Sequence, residues 1–239
     1  MPTYLYCLTR AGAEPAPALL GLDGAPVRVV DAGGLGAWVS DVDVPPPVTV
    51  ERARAHDGVI RAAMEQGTPL PARYGQLLAS DAALRQELED RAASVRLALE
   101  RVDGSVEMTL RLGLGESYVP KSFEVNQLSG REYLERLREA ERSDEGRRRR
   151  AEFLQRRVAG AVAGVVRGEV VSTGARDRAT LVISHLVPRE QVAAYRRAVR
   201  DAVRAIVEQE SSSTDAPASV PVMISGPWAP YSFAELARG

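Results

Sequence analysis

The chain has 239 residues, enough for one large domain or two small ones, and 45% of them are apolar, enough to bury a core. Acidic and basic side chains nearly cancel, 32 against 31, which argues against a nucleic-acid binder held by a basic excess. The single cysteine, Cys7, rules out an intrachain disulfide and fits a reducing, cytoplasmic setting. Met1 to Cys7 has no basic leader, and no apolar helical run approaches the roughly 20 residues of a membrane span, so no membrane partner is expected.

Thr3 to Leu8 alternates around Tyr4, Tyr6 and Leu8, which predicts a strand. A Pro- and Gly-rich loop follows, from Ala11 to Pro26. Val27 to Val30 and Leu35 to Val39 predict a β-hairpin across Asp31-Ala32-Gly33-Gly34. Pro45-Pro46-Pro47 ends it. A helix is expected from Thr49, with Ala53, His56, Ile60 and Ala63 on one face. Pro69 and Pro71 leave Leu70 to Leu78 extended or irregular. Asp81 is the expected N-cap of a helix whose stripe is Leu84, Leu88, Val95, Leu99 and Val102. Asp103-Gly104 ends that helix, and Val106 to Leu114 alternates as a strand.

Gly115 to Ser129 is a composition break and the expected linker. Two helices are predicted beyond it, Arg131 to Glu141 and Asp144 to Arg167, the second striped by Ala151, Leu154, Val158, Ala161 and Val165. Glu169 to Thr173 and Ala179 to Leu186 read as strands joined by a turn at Gly174 to Arg178. Pro188 suits the first turn of a helix with Val192, Tyr195, Val199, Val203 and Ile206 buried. A polar loop from Ser211 to Ala218, a strand at Val220 to Ser225 and an aromatic tail complete the chain.

These elements predict an α+β protein of two small domains, 1–115 and 116–239. The first is a modified ferredoxin-like antiparallel sheet with helices on one face. The second packs helices on a short antiparallel sheet. Lending it the strand at Val106 to Leu114 would make it βαββαβ.

The residues that usually carry chemistry are scarce. There are two histidines, His56 and His185, one cysteine, and no His-x-x-x-His or Cys-x-x-Cys spacing, so no metal or other cofactor is expected. No Gly-x-Ser-x-Gly string is present. Gly113-Leu114-Gly115 lacks the Gly-Lys-Ser/Thr of a phosphate loop. Both histidines and Cys7 read as core residues. Arg147 to Arg150 reads as a solvated helix face paired with Glu141, Asp144, Glu145 and Glu152. Gly160, Gly164 and Gly168 recur every four residues and predict a flat face against another backbone. A small-molecule enzyme or an RNA-binding module on a ferredoxin-like scaffold are the rival readings. A deep pocket of charged groups would favour the first. An Arg face with exposed sheet aromatics would favour the second.

Several strings taken in order resemble one family, the gas vesicle F/L accessory proteins. They are the strand at Tyr4 to Cys7, the hairpin from Val27 to Asp41, and His56 ahead of Leu70-Pro71-Ala72-Arg73-Tyr74-Gly75. Gly130-Arg131-Glu132-Tyr133-Leu134 follows, and the ending is Gly226-Pro227-Trp228-Ala229-Pro230-Tyr231-Ser232-Phe233. Ala229 stands where the family pattern has Pro. The resemblance implies a non-enzymatic accessory protein of gas vesicle assembly. Its implied partners are the hydrophobic main shell subunit and other gas vesicle accessory proteins, and its place is the gas vesicle. Among the motif residues, Arg73 and His56 are placed to tie down the Pro-Gly segment by hydrogen bonds. Trp228, Tyr231 and Phe233 give the tail apolar area for docking.

Overall fold

The computed structural model describes residues 1–42, 47–114, 130–173, 180–211 and 220–234. The expected linker at Gly115 to Ser129, the turn at Gly174 to Arg178, Pro45-Pro46 and most of the Ser211 to Ala218 loop lie outside them. The chain divides into two compact units, Met1–Glu107 with Pro227–Gly239, and Met108–Gly226. The division falls inside a strand rather than at residue 115, and it assigns the aromatic tail to the first unit.

The first unit is built around β1 (Thr3–Arg10), whose residues 3–9 are all buried. It pairs antiparallel with β3 (Leu35–Asp41), and β3 pairs with β2 (Arg28–Ala32). The β2–β3 hairpin turns on Gly33 and Gly34, both at positive φ (57° and 73°), which suits the right-handed twist of the strands. On the other side of β1 lie two short antiparallel strands, β4 (Leu70–Pro71) and β5 (Leu77–Leu78).

Helix α1 (Val50–Gln66) is capped by the Thr49 side chain, which accepts from Arg52 N, and buries His56, Val59, Ile60 and Ala63. Ala53, expected on this face, is exposed, one turn too early to meet the sheet. Ser80, not Asp81, caps α2 (Asp81–Asp90). Asp81 instead accepts from Thr3 Oγ1 and from Arg28. The helical stripe divides at Arg91 between α2 and α3 (Ala92–Val102), and all five expected stripe residues are buried. The helices cover both faces of the sheet rather than one. The α1 residues Val59, Ile60 and Ala63 pack with Tyr4 and Tyr6. Leu84, Leu88 and Val95 meet Leu5 and Leu8 around a cavity of only about 20 Å³. An irregularity between Leu5 and Cys7 in the β1–β3 pairing puts Leu8 on the face opposite Tyr4 and Tyr6.

The second sheet has strand order β7-β8-β6-β9. It comprises β6 (Ser105–Gly113), β7 (Gly168–Thr173), β8 (Thr180–Pro188) and β9 (Val222–Trp228). Helix α4 (Gly130–Val162) follows β6, and α5 (Val192–Ser211) follows β8. This is the βαββαβ order with the strand arrangement of a ferredoxin-like sheet. The two helices predicted between residues 131 and 167 form one, because Arg142 and Ser143, the residues between them, include no proline or glycine to break it. A short 3-10 turn at Arg189–Gln191 separates Pro188, the last residue of β8, from α5. Met108, Leu110 and Leu112 of β6 pack with Leu154, Val158 and Val162 of α4, with β8, and with Tyr195, Val199 and Ile206 of α5. Val162 takes the buried place predicted for Ala161, which is exposed.

Ile60 is 1% exposed in the α1–sheet layer. Ile60→Ala should therefore lower the stability of the first unit by about 2–5 kcal/mol, read from its urea midpoint.

Candidate functional site

The motif residues of the first unit converge on one buried hydrogen-bonded cluster. Its backbone frame is the segment between β4 and β5. Ala72 N donates to Tyr6 O at 2.8 Å, and Leu5 N donates to Gln76 O at 3.0 Å. Gln76 N donates to Arg73 O at 3.3 Å, closing a tight turn with Gly75 at φ +88°. Only glycine adopts that φ at little cost, so the motif's last position is dictated by the backbone.

His56 bolts this turn to α1 and β1. Its Nε2 lies 3.2 Å from Ala72 O and its Nδ1 lies 2.9 Å from the Tyr4 hydroxyl. A carbonyl oxygen only accepts, so Nε2 carries the proton, and Nδ1 accepts from Tyr4. The Tyr4 oxygen in turn accepts from Gly75 N at 3.1 Å. Tyr74, half-buried, stacks edge-on to both Tyr4 and His56 and donates to Pro47 O at 2.9 Å. Beside them the Tyr6 hydroxyl accepts from Leu22 N and donates to Ser40 Oγ. Burial holds the His56 pKa below its ordinary value and lifts those of Tyr4 and Tyr6, so all three stay neutral. Every polar atom of the His56 ring is engaged, which leaves it no free nitrogen for base chemistry.

Leu70 and Pro71 are buried as β4. Arg73 does not tie the segment down; it is exposed, and its guanidinium bonds to no described residue. Gly130 begins α4, and the side chains of Tyr133 and Leu134 lie outside the described residues.

The tail folds back on the first unit. Arg61 lies over the Trp228 ring, 5.4 Å from its centroid. Ala229 is buried in the Tyr4–Trp38 core cluster. Ser232 donates through N and Oγ to the two oxygens of buried Glu107, at 2.7 and 2.8 Å. Phe233 is buried, and its carbonyl accepts from Arg101. Tyr231 stays 40% exposed.

The second unit holds a parallel arrangement. His185 Nδ1 lies 2.9 Å from the Tyr195 hydroxyl, and Nε2 lies 3.0 Å from Glu169 Oε2. Gln155 donates to the other Glu169 oxygen at 2.9 Å. Burial outweighs the carboxylate and lowers the His185 pKa. Sequence reasoning missed Tyr4, Tyr195, Glu107 and Glu169. The available signal was that a tyrosine inside an apolar stripe needs a partner for its hydroxyl.

The remaining candidates stay apart. Cys7 is fully buried, which pushes its thiol pKa up and leaves it unreactive. Among the described residues no three metal-ligating side chains come together. None of the described helices is long and apolar enough to cross a membrane. In the arginine run, Arg147 pairs with Asp144, Arg148 with Glu145 and Glu152, and Arg149 with Glu145. Among the described residues the glycine face meets nothing: no atom lies within 4 Å of a Cβ position at Gly160 or Gly164, and Gly168 belongs to β7.

Fold and cluster define a two-unit α+β protein whose distinctive residues brace a turn and dock a tail. A sequence model of the gas vesicle synthesis protein GvpL/GvpF family matches residues 2–235, and the chain belongs to that family. It is 31% identical to gas vesicle protein L of Streptomyces sp. (strain CB03234), over 98% of this chain and 93% of that protein. In fold it is similar to the crystal structure of GvpF from Anabaena sp. PCC7120, with TM-score 0.72 and 18% identity over 99% of both chains. GvpF from Microcystis aeruginosa gives TM-score 0.71 at 18% identity, over 98% of this chain and 99% of that one.

Two measurements check the cluster. Tyr4→Phe removes one hydroxyl and strands the buried His56 Nδ1, while Gly75, an exposed residue, can turn its N–H to water. It should cost about 1–3 kcal/mol in urea unfolding, the penalty for one buried group left unsatisfied. The second measurement is stability against pH. Both histidines have folded pKa values below 6.5, so beneath that pH the unfolded chain binds the protons. Stability from this source is complete above pH 6.5 and falls as pH drops, by up to about 1.4 kcal/mol per pH unit per histidine. His56→Gln with His185→Gln should flatten that slope above the carboxylate range.

Proposed function

We propose that this chain is a non-catalytic accessory protein of gas vesicle assembly that binds the main shell subunit. The observation that carries the reading is the family match across nearly the whole chain. The family's place in gas vesicle synthesis supplies the partner class: the shell subunit and other gas vesicle accessory proteins. A shell subunit with a large apolar face aggregates in water unless something covers it before assembly. A binding protein does this without a catalytic residue, in the cytoplasm beside the growing vesicle.

The chemistry of the site is consistent with that role. The two histidines and the one thiol serve packing. A concavity of about 280 Å³, open to solvent, is lined mainly by apolar residues together with Arg167 and Glu169. No cluster of charged groups converges there to act on a small substrate. The arginine run does not favour RNA either, since Arg147, Arg148 and Arg149 pair with neighbouring carboxylates.

Two assays test the proposal. Co-expression of the tagged chain with the main shell subunit should bring that subunit down in soluble form, where the subunit alone pellets. Clean deletion of the gene should abolish intact vesicles. Normal vesicles in the deletion strain would refute the assembly role, and an empty pull-down would refute shell-subunit binding.

A further inference from the structure

The outer edge of a sheet offers unpaired N–H and C=O groups to any passing strand, and most edges are blunted against this. In the first sheet, β2 carries Arg28 and Asp31, and Arg28 is held by Asp81 of α2 at 2.7 Å. At the opposite edge, β4 and β5 have two residues each, and β4 contains Pro71. In the second sheet, β9 follows Pro221 and contains Gly226 at φ +112° and then Pro227, which interrupt its outer donors.

β7 lacks every such device. Gly168–Thr173 has no proline, lysine or arginine. Its consecutive valines, Val170 and Val171, point to opposite faces and are both exposed, 40% and 38%. Its one charge, Glu169, is turned inward onto His185 and Gln155. Among the described residues β7 pairs only with β8, antiparallel from Gly168 to Thr173.

The concavity of about 280 Å³ adjoins this edge. Ala159, Val162 and Val166 line it from the end of α4 onward, the exposed Arg167 stands just ahead of β7, and Gly168 and Glu169 line it from β7. An edge whose outer main-chain groups have no partner among the described residues, beside a mostly apolar depression, has the two parts of a strand-addition site. The backbone supplies affinity and the depression selects a side chain.

We propose that β7 is a strand-addition site for an extended, uncharged, apolar segment of the bound protein, one of whose side chains seats in the concavity. This rests on the reading above that the bound protein is the shell subunit. The choice of occupant follows from charge. A charged segment would lose its hydration beside the exposed Val170 and Val171, and the strand's own charge, Glu169, is already engaged by His185 and Gln155. A neutral apolar segment recovers its hydrogen bonds and covers Val170 and Val171.

The test uses the full chain co-expressed with the main shell subunit. Val170→Lys places a charge on the edge at a side chain already exposed, so the fold is retained, as a thermal melt will verify. Leu97→Lys on α3, at a side chain 66% exposed, is the control. Capture of the subunit should drop at least about tenfold for V170K and stay at wild-type level for L97K. Hydrogen exchange on the wild-type complex should show amides of Val170 to Thr173 slowed on binding. Equal capture by wild type and V170K, equal losses in V170K and L97K, or unchanged exchange in β7 would each overturn the strand-addition site while leaving shell-subunit binding standing. No capture by the wild-type chain would overturn both.

Discussion

Strand β1 is buried along both faces, and the rest of the first unit follows from how that burial is satisfied. A doubly buried strand needs apolar cover above and below, which α1 on one side and α2–α3 on the other provide. It also needs partners for the two tyrosine hydroxyls it takes into the core. Tyr6 finds Leu22 N and Ser40. Tyr4 finds His56 and, through Gly75 N, the turn that carries Arg73. The motif Leu70 to Gly75 is thus the far end of a hydrogen-bond path that starts in β1. Its conformation is held by a core that would otherwise contain stranded polar groups.

The same device recurs in the second unit, where His185 joins a tyrosine on the neighbouring helix to a carboxylate on the adjacent strand. In both units a histidine is kept neutral by burial and used as a two-ended connector. Connectors of this kind specify geometry because each nitrogen accepts only one type of partner. They are also sensitive to acid, since a proton added to either ring would reverse its bond to the tyrosine hydroxyl and place a charge in the core. Histidines that look like candidate bases in a list of residue types therefore do structural work in this chain.

Much of the local structure was legible in the residues. The β2–β3 hairpin followed from Gly33-Gly34 between two short apolar runs, and α1 from its Thr49 cap and its spacing. Errors arose where the answer depended on a distant element. Asp81 reads as a cap, yet Arg28 and Thr3 claim its carboxylate, and Ser80 takes over the capping. The glycines at 160, 164 and 168 share a helical period on paper. α4 stops at Val162, so the third belongs to a strand. Arg73 and His56 looked equally suited to tying down the same turn. Only the histidine reaches it, because α1 delivers that side chain into the core and the turn directs Arg73 outward.

The sequence by itself determined most of the secondary elements, the apolar stripes that become the two cores and, through its ordered motifs, the family. These are local properties, set by residue type and spacing along a few turns of chain. Tertiary structure alone decided that β1 is covered on both faces, that Tyr4, His56 and Gly75 form one path, and that the tail closes on Glu107. It also decided that, among the described residues, β7 pairs on one side only. Each of these joins residues far apart in the chain through hydrogen bonds or burial, and spacing along a chain carries no information about such a meeting until the fold has brought the partners together.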